Sequence, residues 1–447
     1  MAKVHMIMLG CDKNRIDAEL MLKKLKDAGH TLCELPDESA LVLVNTCGFI
    51  EAAKKESIDT LFDMIRLKED RESEVLAVIA TGCLAERYRE ELARLVPELD
   101  AVVGIGQNGS IAEIADLALS GRRELSFDSP EKLPTEGGRL LSTPGHYAYL
   151  KIAEGCSNCC SYCAIPAIRG AFRSRKPKDI LKEALWLSDE GVRELLIVAQ
   201  DTTAYGRDLD EKADLSSLLR TLSEIDKLWK IRVLYAYPQN ITDTLIKTIG
   251  EEKRIANYLD IPLQHADREI LRKMGRVGDK QSLLALVKRL RDRIPGIVLR
   301  SSFIVGFPGE TETQFMELLD FQEKAKIERA GCFAYSAEEG TPAFCMENHV
   351  ADEVKRSRVD LFMRRQTEIL FEKQRLREGE VLEVVVEGFD DKKGLFISRS
   401  EYDAPEIDTC LYLKSKNELK SGMVVRARVT GSDDYDLYGS EVEQGQS

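Results

Sequence analysis

No apolar run in the chain approaches the roughly 20 residues needed to cross a bilayer. The N-terminus, Met-Ala-Lys-Val-His, lacks the basic-then-apolar pattern of a secretory signal. Together these absences predict a cytoplasmic protein with no membrane partner. Basic charge is also missing: the net charge is -13 and the pI is near 5.2. That disfavours nonspecific binding to nucleic acid and suits a basic protein partner. The eleven cysteines do not make an even set. In a large chain without a signal, an odd count argues for metal or catalysis rather than a disulfide framework. What is present is ample for folding, since 43% of 447 residues are hydrophobic, enough for two to four domains.

Cys156, Cys160 and Cys163 lie in the stretch Glu-Gly-Cys-Ser-Asn-Cys-Cys-Ser-Tyr-Cys. Three thiolates at gaps of four and three can hold three irons of a four-iron cluster and leave the fourth open to a small molecule. Ferredoxin spacings supply four cysteines and close the cluster for electron transfer. This spacing points to an enzyme whose cluster is a working part.

The first 120 residues alternate short apolar runs with helical periodicity, which predicts an open parallel α/β domain. Strands are expected at Val4–Leu9, Leu41–Asn45, Val75–Ala80 and Ala101–Ile105. Helices are expected at Asn14–Ala28, Ile50–Leu67 and Ala85–Leu95. Cys11, Cys47 and Cys83 each fall just past a strand, at two equal intervals of 36 residues. Ligands gather beyond the carboxyl ends of parallel strands. The three read either as ligands of a second cluster with an open iron or as buried core thiols. Glycines at 10, 48 and 82 would permit close backbone approach.

Residues 121–145 carry Pro134, Gly137, Gly138, Pro144 and Gly145 without clear periodicity and read as a linker. From His146 to about residue 370, some six strand–loop–helix repeats predict a complete or partial barrel of parallel strands. The cysteine triplet, Gln200-Asp201, Gln264-His265 and Gly306–Glu310 would sit at the carboxyl ends of those strands, where such barrels do chemistry. Each has a plainer reading. Asp201 reads also as a turn cap, His265 as a core histidine, and Gly306, Gly309 and Glu310 as a strand-to-helix turn. Arg169, Arg173 and Arg175 read as a solvated charge run or as a clamp for an anion.

A charged helix, Lys355 through Arg377, precedes five short strands that predict a small barrel of the oligonucleotide-binding type over 371–447. From Leu376 on, nine Lys and Arg stand against sixteen Asp and Glu, a net charge of -7. An RNA-binding module would carry a basic face. The acidity suits a lysine- and arginine-rich protein target, or serves solubility alone. A basic strip at Arg426 and Arg428 keeps RNA contact as a secondary expectation. Cys33, Cys159, Cys332, Cys345 and Cys410 have no paired spacing and read as structural thiols.

The triplet resembles the signature of the radical S-adenosylmethionine superfamily. Together with Cys11, Cys47 and Cys83 it resembles the methylthiotransferase branch, and the likeness covers nearly the whole chain. Within the branch, five stretches are similar to the enzymes that modify ribosomal protein: Leu9–Asn14, Val44–Ile50, Cys163–Gly170, Gln200–Thr203 and Ile261–Ala266. One residue departs from that pattern, Cys159, where proline is usual before the second triplet cysteine. Its spacing keeps Cys160 as the ligand. The resemblance implies two four-iron four-sulfur clusters, held by Cys156, Cys160 and Cys163 and by Cys11, Cys47 and Cys83. It also implies two molecules of S-adenosylmethionine, with Gln200, Asp201, Gly306, Gly309 and Glu310 positioning cofactor or substrate. The C-terminal barrel would be a TRAM domain. The implied reaction is methylthiolation of an aspartate β-carbon in small-subunit ribosomal protein twelve, with an electron donor such as flavodoxin or ferredoxin. The same chemistry on a tRNA adenosine, and a non-enzymatic carrier of iron and sulfur, are the alternatives.

Overall fold

The computed structural model describes residues 1–210, 212–433 and 435–442. The chain forms two compact units. The first holds Met1–Ser142, Lys151–Arg175 and Ser336–Phe344, and the second holds Thr143–Leu150, Lys176–Tyr335 and the chain from Cys345 on.

In the first unit, six strands form one sheet: β1 (Lys3–Met8), β2 (Thr31–Leu32), β3 (Leu41–Thr46), β4 (Ala77–Gly82), β5 (Ala101–Val103) and β6 (Glu124–Ser126). Their order is β2-β1-β3-β4-β5-β6, and every printed pair is parallel. Alternation along β3 shows why both faces are covered. Leu41 and Leu43 pack with Ala18, Met21 and Leu25 of helix Asp12–Asp27 and with Ile114 and Ala115 of helix Ile111–Leu119. Val42 and Val44 pack with Leu61 and Ile65 of helix Glu51–Glu69 and with Leu92 of helix Arg89–Leu95. Near-continuous apolar strands of this kind belong to parallel sheets buried on both sides.

Three features differ from the sequence expectation. Strand β6 lies inside the stretch that reads as a linker, where its Glu-Leu-Ser is too short to show a period. Buried Arg139 of the same stretch pairs with Glu19 at 2.8 Å. The single helix expected over Ala85–Leu95 is two, Cys83–Arg87 and Arg89–Leu95, parted at Tyr88.

The second unit carries a six-stranded sheet of β7 (Tyr147–Lys151), β10 (Glu194–Val198), β11 (Lys230–Val233), β12 (Ile255–Asp260), β13 (Val298–Val305) and β14 (Arg329–Ala334). Between β7 and β10 along the chain, and in the first unit, β8 (Ala153–Glu154) pairs antiparallel with β9 (Arg173–Ser174). The order β14-β13-β12-β11-β10-β7 follows the chain and does not close. Neighbours from β10 to β14 are parallel, so this is a partial barrel. Aspartates and a threonine cap its helices: Asp214 and Asp279 accept from Ser217 and Ser282, and Thr311 from Gln314.

Five further strands, β15 (Val381–Asp390), β16 (Leu395–Ser400), β17 (Leu411–Lys414), β18 (Val424–Ser432) and β19 (Leu437–Glu441), close a barrel in the order β15-β16-β17-β19-β18. Within the same unit, acids of the β16–β17 connection meet basic and phenolic groups of the open sheet. Arg300 reaches Asp408 at 2.6 Å and Arg329 reaches Asp403 at 2.6 Å. Lys230 reaches Glu401 at 3.0 Å, Tyr147 donates to Glu406 at 2.8 Å and Tyr258 to Asp408 at 2.7 Å. In the other direction, Arg399 of β16 meets Glu194 of β10 at 2.6 Å, and Arg232 of β11 holds the same carboxylate at 2.9 Å. Part of the acidity expected to meet a partner protein is therefore already answered by this chain's own sheet.

Candidate cluster site

Strand order 2-1-3-4 makes a topological switch between β1 and β3, where open parallel sheets bind ligands. Cys11 follows β1, Cys47 follows β3 and Cys83 follows β4. Cys11 stands at the N-terminal end of helix Asp12–Asp27 and Cys83 opens helix Cys83–Arg87. Asn14 ties the strand ends together: its amide donates to the Leu9 carbonyl at 2.7 Å and the Thr46 carbonyl at 3.2 Å. Asn45 returns a bond to the Asn14 carbonyl at 2.8 Å. Ser57 clasps Cys47 from both sides, accepting from its N–H and donating to its carbonyl, each at 2.9 Å. The space left by Gly10 is taken by Cys47; a Cβ at Gly10 would stand 2.9 Å from the Cys47 Cβ. Burial pushes the Cys47 thiol up and the Cys83 thiol up to about 11, and each of these thiols feels the charge of Cys11.

The triplet loop belongs to the same unit. Its neck is the β8–β9 ribbon, and the Cys156 N–H donates to the Gly170 carbonyl at 3.1 Å. At Gly155, φ is +75°, and a Cβ there would fall on the Ala171 carbonyl oxygen. Cys163 donates its N–H to the Cys160 carbonyl at 3.1 Å. Cys83 packs against Ala164 and Ile168, directly after the triplet. Cys159 is exposed, whereas Cys156, Cys160 and Cys163 are half-buried.

None of the six cysteines is disulfide-bonded. Among the described residues, no group of three or more His, Cys, Asp or Glu is arranged to hold a single metal ion. The donor set, all thiol and with the space at Gly10 given over to Cys47, is consistent with iron–sulfur clusters.

Behind Cys83 lies a buried ionic cluster. Lys151 meets Asp17 at 2.5 Å and Glu154 at 2.7 Å. Arg169 meets Asp17 at 2.9 Å and Glu154 at 3.1 Å, and donates to Asn14 Oδ1 and to Cys83 Sγ, both at 3.4 Å. Burial works against the Glu154 carboxylate, but Arg169 and Lys151 outweigh it and hold it below the usual range. The other arginines of this stretch are also structural. Arg173 donates to the Pro130 carbonyl at 3.1 Å and Arg175 to the Lys151 carbonyl at 2.6 Å, so they form neither a solvated run nor an anion clamp. Asp17, Lys151 and Glu154 escaped the sequence reading. The signal was there: Lys151 and Glu154 interrupt an apolar strand run, which marks charges that must find buried partners.

The remaining candidates lie at the carboxyl ends of strands in the second unit. Asp201 follows β10 and caps the turn Thr202–Ala204, accepting from the Thr203 N–H at 3.0 Å and hydroxyl at 2.6 Å. Gln200 is half-buried beside it. Glu310 folds back on its own loop, accepting from the N–H of Gly306 at 2.5 Å and of Phe307 at 3.0 Å, with Arg358 at 3.1 Å. Burial pushes its carboxyl up to about 7 against those donors. Gly309 donates its N–H to the Asn348 carbonyl at 2.8 Å. His265 is fully buried, and its Nδ1 accepts from the Asp267 N–H at 2.9 Å. The plainer readings of Asp201 and Glu310 describe what their carboxylates do here.

Family models match three parts of the chain: an uncharacterized protein family, UPF0004, over residues 3–104, the radical SAM superfamily over 150–321, and a TRAM domain over 379–442. Among solved structures, the radical S-adenosylmethionine methyltransferase TsrM from Kitasatospora setae aligns with a TM-score of 0.55 at 15% identity, covering 76% of each chain. The cobalamin-dependent S-adenosylmethionine radical enzyme OxsB aligns at 0.52 and 13%, over 83% of this chain and 58% of that one. These share the fold. The curated relatives share the sequence as well. The ribosomal protein uS12 methylthiotransferase RimO of Thermoanaerobacter sp. is 46% identical over 98% of this chain and 100% of its own. That of Pelotomaculum thermopropionicum is 48% identical over 98% and 99%, and that of Geobacter sulfurreducens 46% over 98% of each. With both cysteine sets, the partial barrel and the closed C-terminal barrel in place, the chain belongs to the radical S-adenosylmethionine methylthiotransferases named for ribosomal protein uS12.

Proposed function

We propose that this chain methylthiolates ribosomal protein uS12, replacing a hydrogen on the β-carbon of an aspartate with a methylthio group. The observation that carries the reading is the company kept by Cys83, which stands with Cys11 and Cys47 at the sheet switch point and packs on the segment directly after Cys163. Cys156, Cys160 and Cys163 would hold one four-iron four-sulfur cluster, and Cys11, Cys47 and Cys83 a second. When bound, the clusters and two molecules of S-adenosylmethionine supply the sulfur, the methyl group and the radical that takes the hydrogen. The chain's own part is placement. Asn14, Ser57 and the β8–β9 ribbon fix the sulfurs, and burial of Cys83 keeps water from one side of the site. Gln200, Gly306 and Gly309 remain the positions proposed to contact S-adenosylmethionine, with Asp201 and Glu310 shaping their loops. A low-potential donor of the flavodoxin or ferredoxin class would supply electrons.

The test is anaerobic reconstitution with iron and sulfide, followed by S-adenosylmethionine, reductant, sulfide and purified uS12. A mass gain of about 46 Da on one aspartate, the methylthio-for-hydrogen increment, is the expected result. Deoxyadenosine release without that gain, together with methylthiolation of a tRNA adenosine, would replace uS12 with tRNA as the substrate.

A further inference from the structure

Arg169 sits six residues after Cys163, yet its guanidinium donates to the sulfur of Cys83 at 3.4 Å. It is 1% exposed, and the four groups that hold it come from three other stretches of chain: Asn14 and Asp17, Cys83, and Glu154. Lys151, wholly buried, bonds to both carboxylates. Two cations thus balance two carboxylates. Asp17 and Glu154 hold the guanidinium in one orientation, and the Cys83 sulfur is faced by the N–H edge of a cation rather than by a neutral wall.

We propose that Arg169 is a positioning residue for the cluster held by Cys11, Cys47 and Cys83, and that it raises that cluster's reduction potential. The proposal rests on the two-cluster reading above. Reduction adds negative charge that spreads onto the cysteine sulfurs. A buried cation donating to one of those sulfurs stabilises the reduced form more than the oxidised form, and hydrogen bonds to the sulfurs are among the determinants of cluster potential. Low polarity around the pair strengthens the effect, because little water screens it. Lysine keeps the charge but lacks the planar fork, so it cannot serve Cys83 while spanning Asp17, Asn14 and Glu154. The stretch bearing the radical-cluster cysteines thereby also sets the electronic character of the second site.

The experiment starts from the full chain carrying Cys156→Ala, Cys160→Ala and Cys163→Ala, which leaves one cysteine set for iron. Arg169→Met and Arg169→Lys are added to it. After anaerobic reconstitution, iron and sulfide content are measured, and the midpoint potential is read by redox titration followed by electron paramagnetic resonance. The expected result is a lower midpoint in Arg169→Met and a smaller fall in Arg169→Lys. If Arg169→Met does not load, the fall in Arg169→Lys decides. An unchanged midpoint in a variant that loads normally overturns the proposal and leaves Arg169 as packing. Absence of any cluster in the starting variant overturns the two-cluster reading together with this one, so the two failures are read at different steps.

Discussion

Cys47 is the residue at which the two cysteine sets come apart experimentally. Ser57 clasps it through its backbone N–H and carbonyl, and Cys47→Ala leaves those two bonds in place. Cys47→Ala is expected to keep S-adenosylmethionine cleavage, measured as deoxyadenosine release, and to lose methylthiolation by at least about 100-fold, the scale on which metal-site changes act. His265 allows a pH test. Burial lowers its pKa to about 4, so the folded chain resists a proton that the unfolded chain accepts near 6.5. Stability should therefore fall as the pH drops from about 6.5 to about 4, at up to about 1.4 kcal/mol per unit. Glu310, raised to about 7 by burial, acts with the opposite sign and costs stability as the pH rises from about 4.5 to about 7. The two overlap, so the comparison is wild type against His265→Gln in denaturant titrations at pH 5 and 7.5. The pH 5 penalty should shrink in the variant. The thiol positions were legible because spacing and strand ends are written in one dimension. Lys151, Asp17 and Arg169 were not, because their pairing depends on stretches more than 130 residues apart meeting in space.

Among the elements, the β8–β9 ribbon matters most, because two residue pairs close the loop that carries three cysteines. Gly155 occupies its tightest point, with φ +75° and no room for a Cβ. Gly155→Ala is expected to disrupt the loop, lowering iron bound per chain by roughly one cluster and stability by about 1–3 kcal/mol; iron assay and thermal melting check both. Long periodic elements read well from sequence: helices Asp12–Asp27 and Glu51–Glu69 and strand Leu41–Thr46 fall close to where periodicity places them. Short or interrupted ones did not. Helix Asp243–Glu251 has a buried face of four residues, too brief a pattern to separate from its loops. Strand β6 is held by pairing to β5 rather than by its own composition. Helix Ile111–Leu119 follows a turn rich in glycine, which hid its start.

At the level of the whole molecule, the closed C-terminal barrel and the open sheet of the second unit are bolted by buried ions. Glu194 is 1% exposed and faces both Arg232 and Arg399. Removing one member of such a set strands the others, so Glu194→Gln should cost about 3 kcal/mol in chemical denaturation, more than any single exposed pair. Composition showed that this region is acidic but not what the acid is for, because charge counts carry no direction. Glu401, Asp403, Glu406 and Asp408 are turned toward the chain's own sheet. Trimming the protein to its first 375 residues would therefore not yield a simpler catalyst. It would bare Lys230, Arg300 and Arg329 as cations whose carboxylate partners lie beyond the cut, and the shortened chain should adhere to any polyanion in a salt-sensitive way. Affinity for RNA observed in such a fragment would report the scar left by the cut, not a talent of the intact molecule.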